Sequence, residues 1–413
     1  MPQPKIWTYS FSMLFSSKVT KVMAENITSI AFMWLLLESG GNAFSTSMMY
    51  VCSMVPQMLF GVLISPVLSK WKLTYWMFAS DSVRAFIICT IPLLYLADAL
   101  PLWMFYCAAF IQSACGAIYN PASVSLLPKV LAKSRIQQGN AILVSSDKTV
   151  YLLGLAGAGA LITFLSTTTT LFITSALFLI SALLILLVRL NGRDKVKEDH
   201  TLSYWKKIRA GITFVCTETF ILPLALVCIF VNIGIIPWII LRPILIYDDL
   251  SASAFIYTLV SSCGFIGGLV VGIILTKVVI RHQGILFIIA VIVEGVALTI
   301  TGMSPSIILM MICSFIIGMG ETAINVPIMV MIQTSIPEDK QALVFSVIGL
   351  VVALPLPLFG LVMGPLALLV GNGVAIMLGG VLIILSGLGA LKFTSLSKML
   401  TSKRVQKEVG HGI

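Results

Sequence analysis

Residues 189–211 read RLNGRDKVKEDHTLSYWKKIRAG, the longest polar run in the chain. The run carries Arg189, Arg193, Lys195, Lys197, Lys206, Lys207 and Arg209 against Asp194, Glu198 and Asp199. Lysine and arginine beside membrane spans are retained on the cytoplasmic side. A basic block between apolar segments therefore reads as a cytoplasmic loop. It divides the chain into two nearly equal hydrophobic halves.

Composition supports that reading. The 413 residues are 59% hydrophobic and 10% charged, whereas soluble domains average about 25% charged. No soluble core of this length needs so much apolar surface, so the chain is expected to be an all-α integral membrane protein. A net charge of +10 would point to nucleic acid in a soluble protein. Here it reads as topology and attraction to anionic membrane lipid, with no nucleic-acid partner. The opening MPQPKIWTYSFSMLF lacks a short apolar core ending in a small-residue cleavage site, so no cleaved signal is expected. The eight cysteines sit in or beside apolar stretches without metal-like spacing; they read as small core residues. No P-loop, hydrolase or dinucleotide motif stands in a plausible context. The expectation is a protein that is not an enzyme and holds no cofactor or metal.

A span needs about 20 mostly apolar residues. Twelve candidates meet this: 13–37, 45–68, 74–96, 100–127, 139–163 and 167–188, then 219–246, 253–276, 284–302, 305–333, 342–369 and 373–394. The expected domains are a six-helix bundle over 1–188, a basic linker over 189–211, a second bundle over 212–394 and a tail over 395–413. Charge placement tests the layout. Of 26 lysines and arginines, Lys18, Lys21, Arg84, Lys148 and Arg242 fall within or near the ends of spans. All the others lie on the side of the central loop, and the opposite turns carry none. Both termini are thereby placed in the cytoplasm, in a multi-pass protein of the cytoplasmic membrane.

The halves are faintly alike. Asn120 and Asn325 precede matching basic loops at an offset of 205 residues, as in two parallel bundles related by an axis along the membrane normal. Gly264, Gly268 and Gly272 recur every four residues in the eighth span and would form one small face for close helix approach. Gly154, Gly157 and Gly159 would act similarly in the fifth. Pro327, Pro355, Pro357 and Pro365 make the tenth and eleventh spans bendable.

Several motifs resemble one branch of a known family. Glu25 precedes IAFMWLLLESG; IYNPASVSLLP stands at 118–128, followed by Gly139-Asn140-Ala141; and INVPIMVMIQTSIPEDKQALVFSV occupies 324–347. These are similar to stretches of the major facilitator superfamily, in its drug-efflux branch with the macrolide-efflux and enterobactin (siderophore) exporters. The resemblance implies the major facilitator fold, twelve transmembrane helices in two pseudo-symmetric six-helix bundles. It implies that the first, fourth, seventh and tenth spans line a central cavity and that the ninth is peripheral. The chain departs from the family pattern at Ser69, where the loop after the second span usually has aspartate, and at Leu155, where the fifth span usually has proline.

Ionisable residues inside spans are costly and mark functional sites. Glu25 lies near mid-span beside Asn26, and its carboxyl is neutral when protonated and charged when not. Proton coupling is expected at Glu25, with Asp147 and Glu321 as further candidates. The alternative for Glu25 is a structural pair with Lys21, four residues earlier on the same helix face. Asp81 and Arg84, three apart, read as a structural ion pair, at an inner gate or in packing, with Lys70 nearby. Glu294, on the ninth span, reads as structural. Candidate substrate contacts are Glu25, Asn26, Trp34, Gln112, Tyr119, Asn120, Lys148, Asn232, Glu321 and Asn325. The histidines His200, His282 and His411 lie in the expected cytoplasmic segments.

The expected function is secondary transport: a monomer exporting a small organic molecule in exchange for protons. The substrate is either an amphipathic drug of macrolide type or an endogenous siderophore-like metabolite. Lysolipid flipping and a non-transporting receptor or scaffold are the alternatives.

Overall fold

The computed structural model describes residues 6–63, 72–189, 221–278, 282–303, 306–336, 344, 348–349 and 351–392. Among them stand twelve long α-helices and no strand. In chain order they are α1 Tyr9–Glu38, α2 Ala43–Leu63, α3 Leu73–Leu96, α4 Leu102–Val130, α5 Ile136–Leu165 and α6 Thr167–Leu186. Then come α7 Ile221–Ile244, α8 Ala254–Lys277, α9 Gln283–Met303, α10 Ile307–Ser335, α11 Leu356–Val370 and α12 Asn372–Lys392. Each matches one expected span. Ten are long and apolar enough to cross a membrane. Large apolar side chains such as Phe164 (82% exposed) and Leu369 (83%) point outward, which only a lipid surround makes favourable.

Helix ends follow local chemistry. The Thr8 side chain accepts from Phe11 N to cap α1. Ser166, at φ +85°, ends α5 and caps α6 through Thr169 N. Prolines punctuate the spans because they lack the N–H that an interior helical position donates. The eleventh span is broken by them: the chain turns at Leu354–Pro355 and restarts at Leu356 with Pro357 in its first turn. Pro243, near the end of α7, is followed by a π-helical turn over Leu245–Asp249.

The chain forms two compact units, Met1–Glu198 with Ile246–Leu259, and Asp199–Leu245 with Val260–Ile413. In the first, α6 packs on α1 and α3, α4 on α2 and α3, and α5 on α1. In the second, α12 packs on α7 and α9, α10 on α9, and α11 on α7. Adding six to each helix number carries four of the five pairings of the first set onto the second, so the two units share one packing plan. The core of the first unit gathers Phe11, Leu14, Met77, Tyr119, Leu126 and Ile185. Residues 190–220, which hold most of the expected linker, and the expected tail lie outside the described residues.

The small face of α8 differs from expectation. A side chain at Gly264 would meet Ser314, and one at Gly268 would meet Thr322 and Gly318. Gly267 abuts the Phe315 carbonyl, while Gly272 has open space around it. The face that approaches α10 is therefore Gly264, Gly267 and Gly268. In α5, Gly154 packs on Asn26 and Gly159 on Thr258, while Gly157 touches nothing.

Candidate functional site

Ser17, Lys21 and Glu25 follow one another at four-residue steps on α1 and so share a face of that helix. The face meets α3, α4 and α6 in the interior of the first unit. Glu25 is gripped from both sides: its Oε2 lies 2.7 Å from Lys21 Nζ and its Oε1 lies 2.7 Å from Arg84 Nη1. Arg84 also donates from Nε and Nη2 to the Gln112 carbonyl, at 3.2 and 3.0 Å. Its guanidinium lies 5.4 Å from the centre of the Phe178 ring. Gly116 leaves the room for it, since a Cβ there would sit 2.6 Å from Nη2.

The rest of the cluster is equally interlocked. Asp81 is fully buried and accepts from Ser181 Oγ at 2.7 Å. Ser181 is in turn bonded to Ser17, which lies 3.4 Å from the Tyr119 hydroxyl. Lys21 donates to Asn120 Oδ1 at 3.3 Å, with its ammonium 4.8 Å from the Tyr119 ring centre. Two cations thus stand against two carboxylates, formally balanced. Lys21, Arg84 and Asp81 side chains are 4%, 3% and 0% exposed, but Glu25 is 33% exposed. Of the four charged groups, Glu25 is the one with appreciable exposure.

The structure redraws the expected Asp81–Arg84 gate. Arg84 Nη1 is 3.8 Å from Asp81 but 2.7 Å from Glu25, so its main partner lies on another helix and Asp81 is held by Ser181. The pairing of Lys21 with Glu25 that sequence left as the structural alternative is present, with Arg84 added to it.

The remaining candidates are dispersed. Asp147 pairs with Lys18 at 2.8 Å, where both side chains are partly exposed, and Lys148 is exposed. Asn26, Asn232 and Asn325 each donate to the carbonyl four residues earlier on their own helix, Val22, Cys228 and Glu321. Trp34 is buried against Tyr247 and Tyr257, with ring centres 5.2 and 6.4 Å away. Glu321 and Asn325 are exposed on α10. Lys70 lies outside the described residues. Sequence reading missed Ser17, Ser181, Phe178 and Gly116. Only Ser17 left a signal, its place in the four-residue stripe with Lys21 and Glu25.

Comparisons with known proteins agree with this architecture. The profile of the Major Facilitator Superfamily matches residues 14–360. The uncharacterized MFS-type transporter YvqJ of Bacillus subtilis (strain 168) is 32% identical over 406 residues, covering 97% of this chain and 96% of the relative. Macrolide efflux protein A of Streptococcus pyogenes is 21% identical over 369 residues, covering 87% of this chain and 89% of its own. Among solved structures, a variant of the nucleoside transporter NupG superposes with a TM-score of 0.74 at 13% identity, covering 94% of this chain and 100% of that one. A bacterial homologue of the iron transporter ferroportin, in an inward-facing state, gives 0.70 at 14% identity, with 96% and 100% covered.

Proposed function

The chain belongs to the major facilitator superfamily, and from that premise we propose that it exports a small organic molecule across the cytoplasmic membrane by proton antiport and alternating access. The observation that carries the proposal is Glu25: a partly open carboxylate at the rim of a cluster whose other charges are sealed. An exporter working uphill needs an energy source, and one charge moving through about 100 mV supplies about 2.3 kcal/mol. A membrane-buried carboxyl can use that source, because protonation removes the charge that must otherwise be carried.

In the state described, Lys21 and Arg84 hold Glu25 as a carboxylate. Protonating it with both cations in place would leave them facing Asp81 alone, one positive charge in excess. Proton uptake is therefore tied to a conformation in which Lys21 or Arg84 has moved off. A solute that binds more tightly while Glu25 is ionised than when it is protonated exchanges for the proton, while a neutral side chain there still allows weaker binding. The name of the macrolide efflux relative favours the outward direction and an amphipathic drug as cargo.

The two buried cations favour a second cargo, an anionic siderophore-like metabolite. The two cargoes link to protons with opposite sign. A drug that competes with the proton binds more weakly as pH falls. An anion that takes Lys21 and Arg84 from Glu25 binds more tightly as pH falls, because Glu25 is then free to protonate. Binding of a radiolabelled macrolide to the purified protein across pH tests this. Affinity falling with pH supports antiport of the drug, and affinity indifferent to pH removes Glu25 from the mechanism.

A further inference from the structure

The second unit holds a carboxyl for which the transport cluster has no use. Glu294 sits at the middle of α9 and is 3% exposed. Its Oε2 is buried and has no hydrogen-bond partner. The helices around it come close: a Cβ at Gly320 of α10 would lie 2.9 Å from Glu294 Cβ and 3.1 Å from its Oε2. On the other side, Gly295 packs on the Gly380 carbonyl of α12, which a Cβ would approach to 2.8 Å. Among the described residues, no lysine or arginine forms an ion pair with it.

The charged groups on the helices packed against α9 are few. Among the described residues α7 carries Arg242, α10 carries Glu321 and α12 carries Lys392 at its last position. Arg242 lies in the last turn of α7, its guanidinium over the Trp238 ring at 5.0 Å. The charged group whose field bears on Glu294 is Glu321, another acid. An ionised carboxylate in a protein interior within a bilayer, lacking a counter-charge and with an oxygen unpaired, costs so much that the group is neutralised instead. Glu321 follows Gly320, the residue pressed against Glu294, and is exposed on the surface of α10.

We infer that Glu294 is a second proton-binding site of the transporter, which holds its proton in the described state and exchanges it through Glu321. The proton moves as such: the Glu294 O–H breaks, Glu321 carboxylate accepts, and the negative charge passes from the surface acid to the buried one. The arrangement explains why a carboxyl stands on a helix that the family resemblance makes peripheral. It is independent of Glu25, since Glu25 belongs to the other unit.

Infrared spectroscopy of the protein in lipid nanodiscs reads the proton directly. At neutral pH the wild-type spectrum is expected to contain a carboxylic-acid carbonyl band that Glu294→Gln removes. Glu294→Asp is expected to shift that band rather than abolish it, which keeps the test valid if the glutamine variant does not fold. In heavy water the band should move to its deuterated position more slowly in Glu321→Gln than in the wild type. A folded Glu294→Gln protein that retains every carboxylic-acid band overturns the site. Unchanged exchange in Glu321→Gln overturns the route.

Discussion

Replacing Glu25 by glutamine removes the charge on which two sealed cations rest. Both of its ion pairs are 2.7 Å long, and the partner side chains Lys21 and Arg84 are 4% and 3% exposed. Removing one partner of a buried pair costs about 3–5 kcal/mol, because an uncompensated charge stays behind. Glu25 is itself 33% exposed, so water reaches part of the gap and the lower end, about 3 kcal/mol, is expected. The companion change Lys21→Met leaves Glu25 its pair with Arg84 and should cost less, about 1.5–3 kcal/mol for one lost charged hydrogen bond. With both changes made, Arg84 faces Asp81 alone and the cluster is again balanced. The double variant should therefore recover to within about 1 kcal/mol of the Lys21→Met protein, a coupling within the range seen for contacting residues. Unfolding of the purified proteins in lipid nanodiscs, followed by tryptophan fluorescence, measures all four corners of the cycle. Additive losses in the double variant would refute the claim that Lys21 and Glu25 hold one another.

Three further outcomes follow from the geometry. Gly116→Ala places a methyl group 2.6 Å from Arg84 Nη2, so it should push the guanidinium off the Gln112 carbonyl and cost about 1–3 kcal/mol as overpacking does, visible in the same melts. Gly264→Leu should prevent accumulation of folded protein because α10 backbone occupies the space, whereas Gly272→Ala should melt as the wild type does, since nothing lies within 4 Å of it. In a cysteine-free background, Thr169→Cys in the exposed first turn of α6 should react with an impermeant thiol reagent from outside the cell and Lys197→Cys should not; the reverse pattern would invert the expected topology.

The twelve helices were legible because a bilayer permits little else: backbone polar groups must be satisfied within each span, so every span must be a long apolar helix. The observed ends fall within a few residues of the expected ones, apart from the eleventh, where Pro355 and Pro357 break the helix. The members of the charge cluster were legible one by one, since Lys21, Glu25, Asp81 and Arg84 are conspicuous inside apolar stretches. Their pairing was legible only in part, at Lys21 and Glu25. Local spacing offers Asp81 to Arg84 and Lys21 to Glu25, but the Glu25–Arg84 bond joins α1 to α3 and depends on tertiary packing. The same limit hid Gly267, which falls three residues after Gly264 and outside a strict four-residue step. It also hid Gly320, whose role is visible only with Glu294 beside it. Asn26, Asn232 and Asn325 looked like cavity groups because amides in spans often bond across helices, yet each bonds back along its own.

Proton-driven flux in the charge-balanced double variant Glu25→Gln/Lys21→Met separates a proton carrier from a structural pair. The protein is reconstituted into sealed vesicles, a pH gradient is imposed, and uphill movement of a radiolabelled macrolide is followed beside its exchange at equilibrium. The account predicts that the wild type accumulates the solute against its gradient. The double variant should retain exchange but accumulate nothing. Full uphill accumulation by the folded double variant would contradict the assignment of the coupling proton to Glu25.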